Sequence, residues 1–214
     1  MDGTQNINSE SVTVSAPKLR TAEFTIVGTA PLVILRFDLK GGAMREAQAA
    51  GSTSKSKKKR EAKDFDGLYE KAKYVSAEGW NGFHAASIRN AMIRACSLIN
   101  FKMTIAKMSI FTKADGFDKS DGTPLVRVYG TWEKVESTVR NANGSADIRV
   151  RAMCREWSAK LRLEWDEDQF TLQDISNLLL RAGAQVGIGE GRPGSKNSAG
   201  VGWGTSEIKK EGSK

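Results

Sequence analysis

The residues best suited to chemistry lie near the C-terminus, in a glycine-rich segment that reads GIGEGRPGSKNSAGVGWG over residues 187–204. Seven of these residues are glycines, which let the backbone take positive φ angles and approach a ligand closely. Successive amide groups in such a segment bind anions, and two cationic side chains accompany them. The segment therefore predicts a loop that binds phosphate. Its predicted contacts are Gly189, Gly191, Arg192, Lys196, Gly200, Gly202 and Trp203.

Two nucleotide-binding motifs resemble this segment but fit it poorly. In a Walker A loop glycine directly precedes the lysine and a hydroxyl follows, whereas here Ser195 precedes Lys196 and Asn197 follows. The segment also follows a predicted helix and leads into a predicted strand, which is the reverse of the order in P-loops and dinucleotide folds. We therefore favour a loop that packs on a nucleic-acid backbone, with a purely structural turn as the alternative. The alternation of glycine with Val201 and Trp203 predicts a short strand over residues 200–204.

A second basic region lies within residues 40–64, which contain almost no large apolar side chain. Such a segment cannot bury enough surface to fold alone. We interpret it as a long loop that orders on phosphates, and the alternative is a solvated or nuclear-targeting-like tract. The net charge of +8 and the pI near 9.5 also favour a polyanionic partner. The basic residues in question are Lys55, Lys57, Lys58, Lys59, Arg60 and Lys63.

Residues for catalysis or metal binding are sparse. His84 is the only histidine, so no Ser/His/Asp or Cys/His set is available, and the two cysteines lack the spacing of a zinc site. The acidic cluster at 164–168 is more typical of a solvated turn than of a two-metal site. Asp38, just after the first predicted strand, leaves a metal-dependent ribonuclease as an alternative. We expect a protein that is not an enzyme and that needs no metal or cofactor.

The elements that must position these residues alternate between strands and helices. Strands are predicted at 21–37, with a break at Gly28 and Pro31, at 101–111, at 125–132 and at 160–165. Helices are predicted over 68–79, over a segment in which Ile88, Met92 and Ile99 recur at helical spacing, and over 171–184.

Local signals place the ends of these elements. His84 or Ser87 could cap the second helix, and Thr171 with Asp174 resembles a capping box for the last one, which Gly183 would end. A hairpin is predicted over 132–153 around Asn143-Gly144. The order predicts an α+β protein with a ferredoxin-like, RNA-recognition-motif-like βαββαβ core that carries a basic insertion and a hairpin.

One domain over residues 21–208 is expected, between a flexible arm at 1–20 and a short tail at 209–214. No apolar run approaches the length of a membrane span, and the N-terminus does not read as a signal peptide. The expected location is cytoplasmic, with no membrane partner.

The glycine-rich segment, with the preceding helix and the following short strand, resembles the RAMP superfamily, the RNA-recognition-fold proteins of CRISPR systems. The segment HAASIRNAMIRA is similar to the family's opening of the first helix, with Ser87, Arg89 and Arg94 in the matching places. Ala30-Pro31-Leu32 is a weaker match. The likeness is greatest to the backbone subunits that polymerise along a guide RNA and to short phage-encoded relatives with a GIGE-x-RP loop.

The resemblance implies non-catalytic binding of single-stranded RNA or DNA through its phosphate backbone, by a homo-oligomer or filament along the strand. It implies contacts from the glycine-rich loop and from Ser87, Arg89 and Arg94. It also implies that the hairpin separates bases, with Arg140, Arg149 and Arg151 as basic contacts. A phage origin would place the protein in a bacterial host cell. A phage annealing or recombination protein, and an inhibitor that mimics a backbone subunit, remain alternatives.

Overall fold

The computed structural model describes residues 14–36, 64–140, 146–195 and 200–209. Several predictions fall outside the described residues. These are the basic contacts at Lys55, Lys57, Lys58, Lys59, Arg60, Lys63 and Lys196, the candidate Asp38, the Asn143-Gly144 turn, and the side chain of Arg140.

The described chain forms eleven strands and four α-helices. The strands are β1 (Leu19–Gly28), β2 (Leu32–Ile34), β3 (Tyr74–Val75), β4 (Asn81–His84), β5 (Ile110–Lys113), β6 (Gly116–Phe117), β7 (Pro124–Tyr129), β8 (Trp132–Arg140), β9 (Ala146–Cys154), β10 (Ser158–Asp166) and β11 (Ser206–Ile208). The helices are α1 (Phe65–Ala72), α2 (Ala86–Ala95), α3 (Met103–Ser109) and α4 (Leu172–Arg181). A 3₁₀ turn at Cys96–Ile99 extends α2, and a π turn at Ala182–Val186 extends α4.

Two antiparallel sheets organise these elements, which confirms the α+β class. The larger sheet has eight strands in the order β11-β1-β10-β7-β4-β3, with β5 also paired to β10 and β6 to β7. The smaller sheet has the order β2-β9-β8, and its β8–β9 pair is the hairpin predicted over 132–153. The chain crosses from one sheet to the other between β1 and β2.

That crossing explains the predicted break at Gly28. A Cβ at Gly28 would overlap the indole of Trp157, whose Nε1 donates a hydrogen bond to the carbonyl of Ala30 at 2.9 Å. Trp157 is almost fully buried, so the chain must leave β1 where no side chain blocks the ring. The next three-residue strand, β2, then pairs with β9 rather than continuing β1.

The core lies between one face of the larger sheet and the helices. The register of β1 on β10 sets Phe24 opposite Leu161 and Ala22 opposite Leu163, so that these residues share the inner face. Ile88 and Met92 of α2 and Ile175 and Leu179 of α4 belong to the same buried cluster. Their spacing of four residues is what a helix needs to present one apolar face.

The expected strand over residues 101–111 is wrong for most of its length. Residues 103–109 form α3, and only the last two positions belong to β5. An apolar run this short fits both periods, and here residues 103–109 take the helical one, in which Ala106 and Ser109, three residues apart, are buried. Met103 and Met108 are exposed instead.

The prediction for the start of α4 is confirmed, and the prediction for its end is wrong. Thr171 and Asp174 form the expected capping box. Gly183 does not end the helix, since the chain continues through the π turn and the residue with positive φ is Gly187, at 69°. A Cβ at Gly183 would overlap the carbonyl oxygen of Ser206, so this glycine allows β11 to pack closely. No helix in the described ranges is long and apolar enough to cross a bilayer.

Candidate nucleic-acid interface

The glycine-rich loop is held by its own backbone and by the entry to β2. Glu190 donates its amide to the carbonyl of Val33 at 2.8 Å, and Gly204 donates to Pro31 at 2.8 Å. Ile188 donates to Gly204 at 3.0 Å, which joins the two ends of the loop. A Cβ at Gly204 would overlap the Ile188 carbonyl, and one at Gly189 would overlap that of Val33. These two glycines are therefore required by backbone packing.

The predicted strand over residues 200–204 is absent, and β11 begins only at Ser206. Gly200, Gly202 and Gly204 have φ angles of 70°, 81° and 67°, a conformation that no strand contains. Gly200 packs against the carbonyl of Arg192, whereas a Cβ at Gly202 would meet nothing described within 4 Å. Gly202 is thus the position in this part of the loop that leaves an open face.

Trp203 lies half-buried over Gly191, whose absent side chain leaves room for the ring; a Cβ there would come within 2.6 Å of Trp203 Cε3. The amide of Trp203 also donates to the Gly191 carbonyl at 3.2 Å. Part of the indole surface is therefore used in closing the loop, and the rest lines a cleft described below.

One side of the loop faces the start of α2 across a cleft of about 380 Å³, which we name the helix cleft. It brings together residues far apart in the chain, from β2, β3, β4, α2 and the loop. Its walls are formed by Ile34, Leu35, Tyr74, Phe83, His84, Ser87, Asn90, Ala91, Arg94, Val186, Gly187, Ile188, Gly189, Glu190 and Arg192. Four predicted contacts, at Ser87, Arg94, Gly189 and Arg192, thus line one cleft.

The polar groups of the helix cleft suit an anion. Arg94 is exposed, and its guanidinium has no partner among the residues that the structure describes. The guanidinium of Arg192 donates to the carbonyl of Gly189 at 2.6 Å, which fixes its position at the rim. Two cations and the hydroxyl of Ser87 therefore border the same space, as a phosphate requires.

The sequence left His84 or Ser87 as the cap of α2, but the N-cap residue is Ala85, which has no side-chain cap, and His84 binds the first helical amide from the position before it. Its Nδ1 accepts a hydrogen bond from the amide of Ala86 at 3.0 Å, whereas the side chain of Ser87 caps nothing. An accepting Nδ1 means that the neutral ring carries its proton on Nε2. The ring lines the helix cleft, so it offers a second donor beside Ser87.

Arg89, the third contact predicted in α2, does not line the helix cleft. Its guanidinium donates to the carbonyl of Ile110 at 2.7 Å and to that of Lys107, and it stacks on Phe111 with Cζ 5.4 Å from the ring centroid. The side chain therefore ties α2 to α3 and β5. A basic residue five positions before Arg94 projects from a different face of the helix.

A second cleft, of about 490 Å³, separates the loop from the hairpin and is named the hairpin cleft. It is lined by Ser137, Arg149, Arg151, Glu190, Gly191, Arg192, Ser195, Gly200, Val201 and Trp203. Because Glu190 and Arg192 line both clefts, the two are neighbours along the loop. We refer to the helix cleft and the hairpin cleft together as the groove.

Arg151 acts as an anchor within the hairpin cleft. It is 8% exposed and forms an ion pair with Glu190 and a hydrogen bond with Ser137. This pair neutralises Glu190, the one carboxylate among the described residues that line the two clefts, and joins the hairpin to the loop. The other basic residues that line the clefts are Arg94, Arg149 and Arg192.

The face of the larger sheet that points away from the helices has a different charge pattern. Each cation along β5 and β10 stands beside an acid: Lys113 with Glu164 at 2.7 Å, Lys160 with Glu23 at 4.0 Å, and Arg162 with Asp115 at 3.3 Å. A face whose charges compensate one another attracts a polyanion weakly. The groove is the better candidate for phosphate.

A buried ion-pair cluster supports the wall of the helix cleft. Arg36 pairs with Asp118 at 3.1 Å and also with Asp121. Burial acts to raise the pKa of Asp118, but hydrogen bonds from Ser120 and from the Val75 amide, together with the charge of Arg36, outweigh it and hold the pKa below its usual value. Asp118 is therefore a carboxylate at neutral pH.

Sequence reasoning missed Asn90, Tyr74 and Glu190. Asn90 had a usable signal, because it lies three residues after Ser87 and four before Arg94, which is the spacing of one helix face. Tyr74 and Glu190 had none, since their roles depend on contacts with Arg36 and Arg151 that are distant in the chain.

Within the described ranges, no group of three or more His, Cys, Asp or Glu side chains is placed to hold a metal ion. Cys96 and Cys154 are both buried and unpaired with each other, and burial with the nearby Glu133 raises the pKa of Cys154 to about 11. No protein-family model matches the chain, and no curated protein matches it in sequence.

Proposed function

We propose that this protein binds single-stranded nucleic acid, without catalysis, by holding the phosphate backbone in the groove along the glycine-rich loop. The observation that carries the proposal is the helix cleft. Ser87 and Arg94 from α2 and Arg192 from the glycine-rich loop line this one cleft. A polyanion gains from every cation that it meets in succession, and Arg149 extends the series into the hairpin cleft.

The strand order supports a ferredoxin-like core for this function. Strands β11, β1, β10 and β5 are neighbours in that order, all antiparallel, with α2 between β1 and β5 in the chain and α4 between β10 and β11. This is the arrangement expected of a βαββαβ core. We therefore retain the RAMP-like assignment as part of the proposal, with a filament along the strand in a phage or CRISPR-related setting.

The basic segment leaves the described chain close to the helix cleft. It follows β2, whose neighbour Leu35 lines that cleft, and it ends at Asp64, directly before α1. The Arg36 amide donates to the carbonyl of Ala72 at 3.1 Å, so the chain that leads into the segment is tied to the C-terminal end of α1.

The test is binding of a labelled oligonucleotide by fluorescence anisotropy. Replacing Arg94 and Arg192 together with alanine should weaken binding by about 2–4 kcal/mol, because each charge-assisted contact contributes roughly 1–2 kcal/mol. The matched control is Lys113→Ala with Lys160→Ala, which removes the same charge from the opposite sheet face.

Equal affinity loss in both double variants would show that only net charge matters, and the groove assignment would fail. For the wild-type protein, the logarithm of the binding constant should also fall linearly with the logarithm of the salt concentration. The slope should be about −0.7 for each phosphate contact. Strand cleavage in the presence of Mg²⁺ would instead favour the ribonuclease alternative at Asp38.

A further inference from the structure

The helix cleft has a feature that phosphate binding does not explain. Its floor is apolar and almost fully buried, built from Phe83, Val186 and Ile188, each at most 4% exposed. A site for phosphate alone needs only cations and polar donors. A floor of this kind suits a flat apolar ring, and a volume of about 380 Å³ lies within the range of small-ligand sites.

Tyr74 lines this cleft and is half-buried, with its side chain packed against the core. The Arg36 guanidinium covers one face of its ring, with Cζ 5.3 Å from the centroid. Leu35 and Tyr74 both line the cleft. A base that enters the cleft can therefore contact Tyr74.

The support behind Tyr74 is rigid. The Arg36 side chain is 14% exposed and is fixed by Asp118 and Asp121, and Asp118 is itself held by Ser120 and the amide of Val75. Strand pairing sets Tyr74 opposite Gly82 and fixes its backbone in the sheet. A ring fixed in this way loses little freedom when a base stacks on it.

We propose that Tyr74 is a stacking platform for one nucleobase, so that the helix cleft takes a whole nucleotide whose phosphate lies between Arg94 and Arg192. The inference rests on the proposed function and adds a base contact to backbone binding. Stacking on an aromatic side chain tolerates any base, which fits a protein that binds strands without regard to sequence.

The test compares two strands of equal length on the intact protein: oligothymidylate and an abasic strand with the same phosphates. Wild-type protein should bind the base-bearing strand about tenfold more tightly. Tyr74→Phe, which keeps the ring, should retain that preference, and in Tyr74→Leu the ratio of the two affinities should fall to about one.

Equal affinity of the wild-type protein for both strands overturns the inference and leaves the proposed function standing. Binding of neither strand overturns both. Because Tyr74→Leu also removes the partner of Arg36, a second measurement uses the wild-type chain alone. Ultraviolet cross-linking to a strand with 5-iododeoxyuridine should attach at Tyr74, as mapped by mass spectrometry, and attachment elsewhere overturns the assignment.

Discussion

Alanine substitutions at Gly200 and Gly202, which add one methyl group each, can separate the structural role of the loop from its role in binding. Both residues have positive φ, 70° and 81°, so alanine at either position carries the same backbone cost of about 1–2 kcal/mol. The surroundings differ. At Gly200 the new Cβ would lie closer than 3.0 Å to the carbonyl oxygen of Arg192, whereas at Gly202 it would meet no described atom within 4 Å.

The structure therefore predicts unequal stabilities. Gly202→Ala should lower the free energy of unfolding by about 1–2 kcal/mol, from the backbone alone. Gly200→Ala should lose a further 1–3 kcal/mol or so, because a backbone carbonyl must move to relieve the overlap. The measurement is urea unfolding of both variants and the wild type under identical conditions.

Binding should show the opposite order if the ligand backbone approaches the open face at Gly202. With folding verified, Gly202→Ala should weaken binding of a single strand by about tenfold, which corresponds to roughly 1.4 kcal/mol. Identical unfolding midpoints for the two variants would contradict the packing described for the loop. Wild-type affinity in Gly202→Ala would show that no ligand approaches that face.

Three further predictions concern the surroundings of the groove. Glu190→Gln should lower the free energy of unfolding by about 2 kcal/mol, since it leaves the buried Arg151 without its charge partner, whereas the exposed Glu136→Gln should have little effect; urea unfolding measures both. The lowered pKa of Asp118 means that its contribution to stability is present above about pH 4 and is lost as pH falls through the folded-state pKa, so the acid sensitivity of the melting temperature should shrink in Asp118→Asn. Replacing Lys57, Lys58, Lys59 and Arg60 with serine should weaken binding to all sequences alike, as measured by anisotropy, while a large change in melting temperature would mean that the segment carries core contacts.

The parts of the fold that sequence reasoning predicted are those with strong local signals. The alternation in β10, the capping box of α4 and the hairpin each depend on residues close in the chain. The strand expected over 101–111 was wrong because its short apolar run satisfies both periods, and only packing beneath α2 decides between them. The strand expected over 200–204 was wrong because alternating glycine is equally compatible with repeated positive φ.

The candidate site divides in the same manner. Arg192 was predicted from its place in the glycine-rich segment, and Ser87 and Arg94 from the resemblance to the RAMP superfamily; all three line one cleft. Arg151 could be named but not its role, because a buried ion pair with Glu190 depends on how the hairpin meets the loop. Tyr74 could not be found at all, since nothing near it in sequence indicates that Arg36 covers its ring.

The distribution of compensated charge decides how a strand would lie on the molecule. On the open sheet face the cations of β5 and β10 already have acidic partners, so a phosphate there must compete with a carboxylate. Among the described residues that line the groove, the single carboxylate, Glu190, is neutralised by a buried arginine from the hairpin, and Arg94 and Arg149 line the two ends. A strand that follows the groove meets Arg94, Arg192 and Arg149 in turn, and it must therefore cross the molecule from α2 to the hairpin rather than along the sheet.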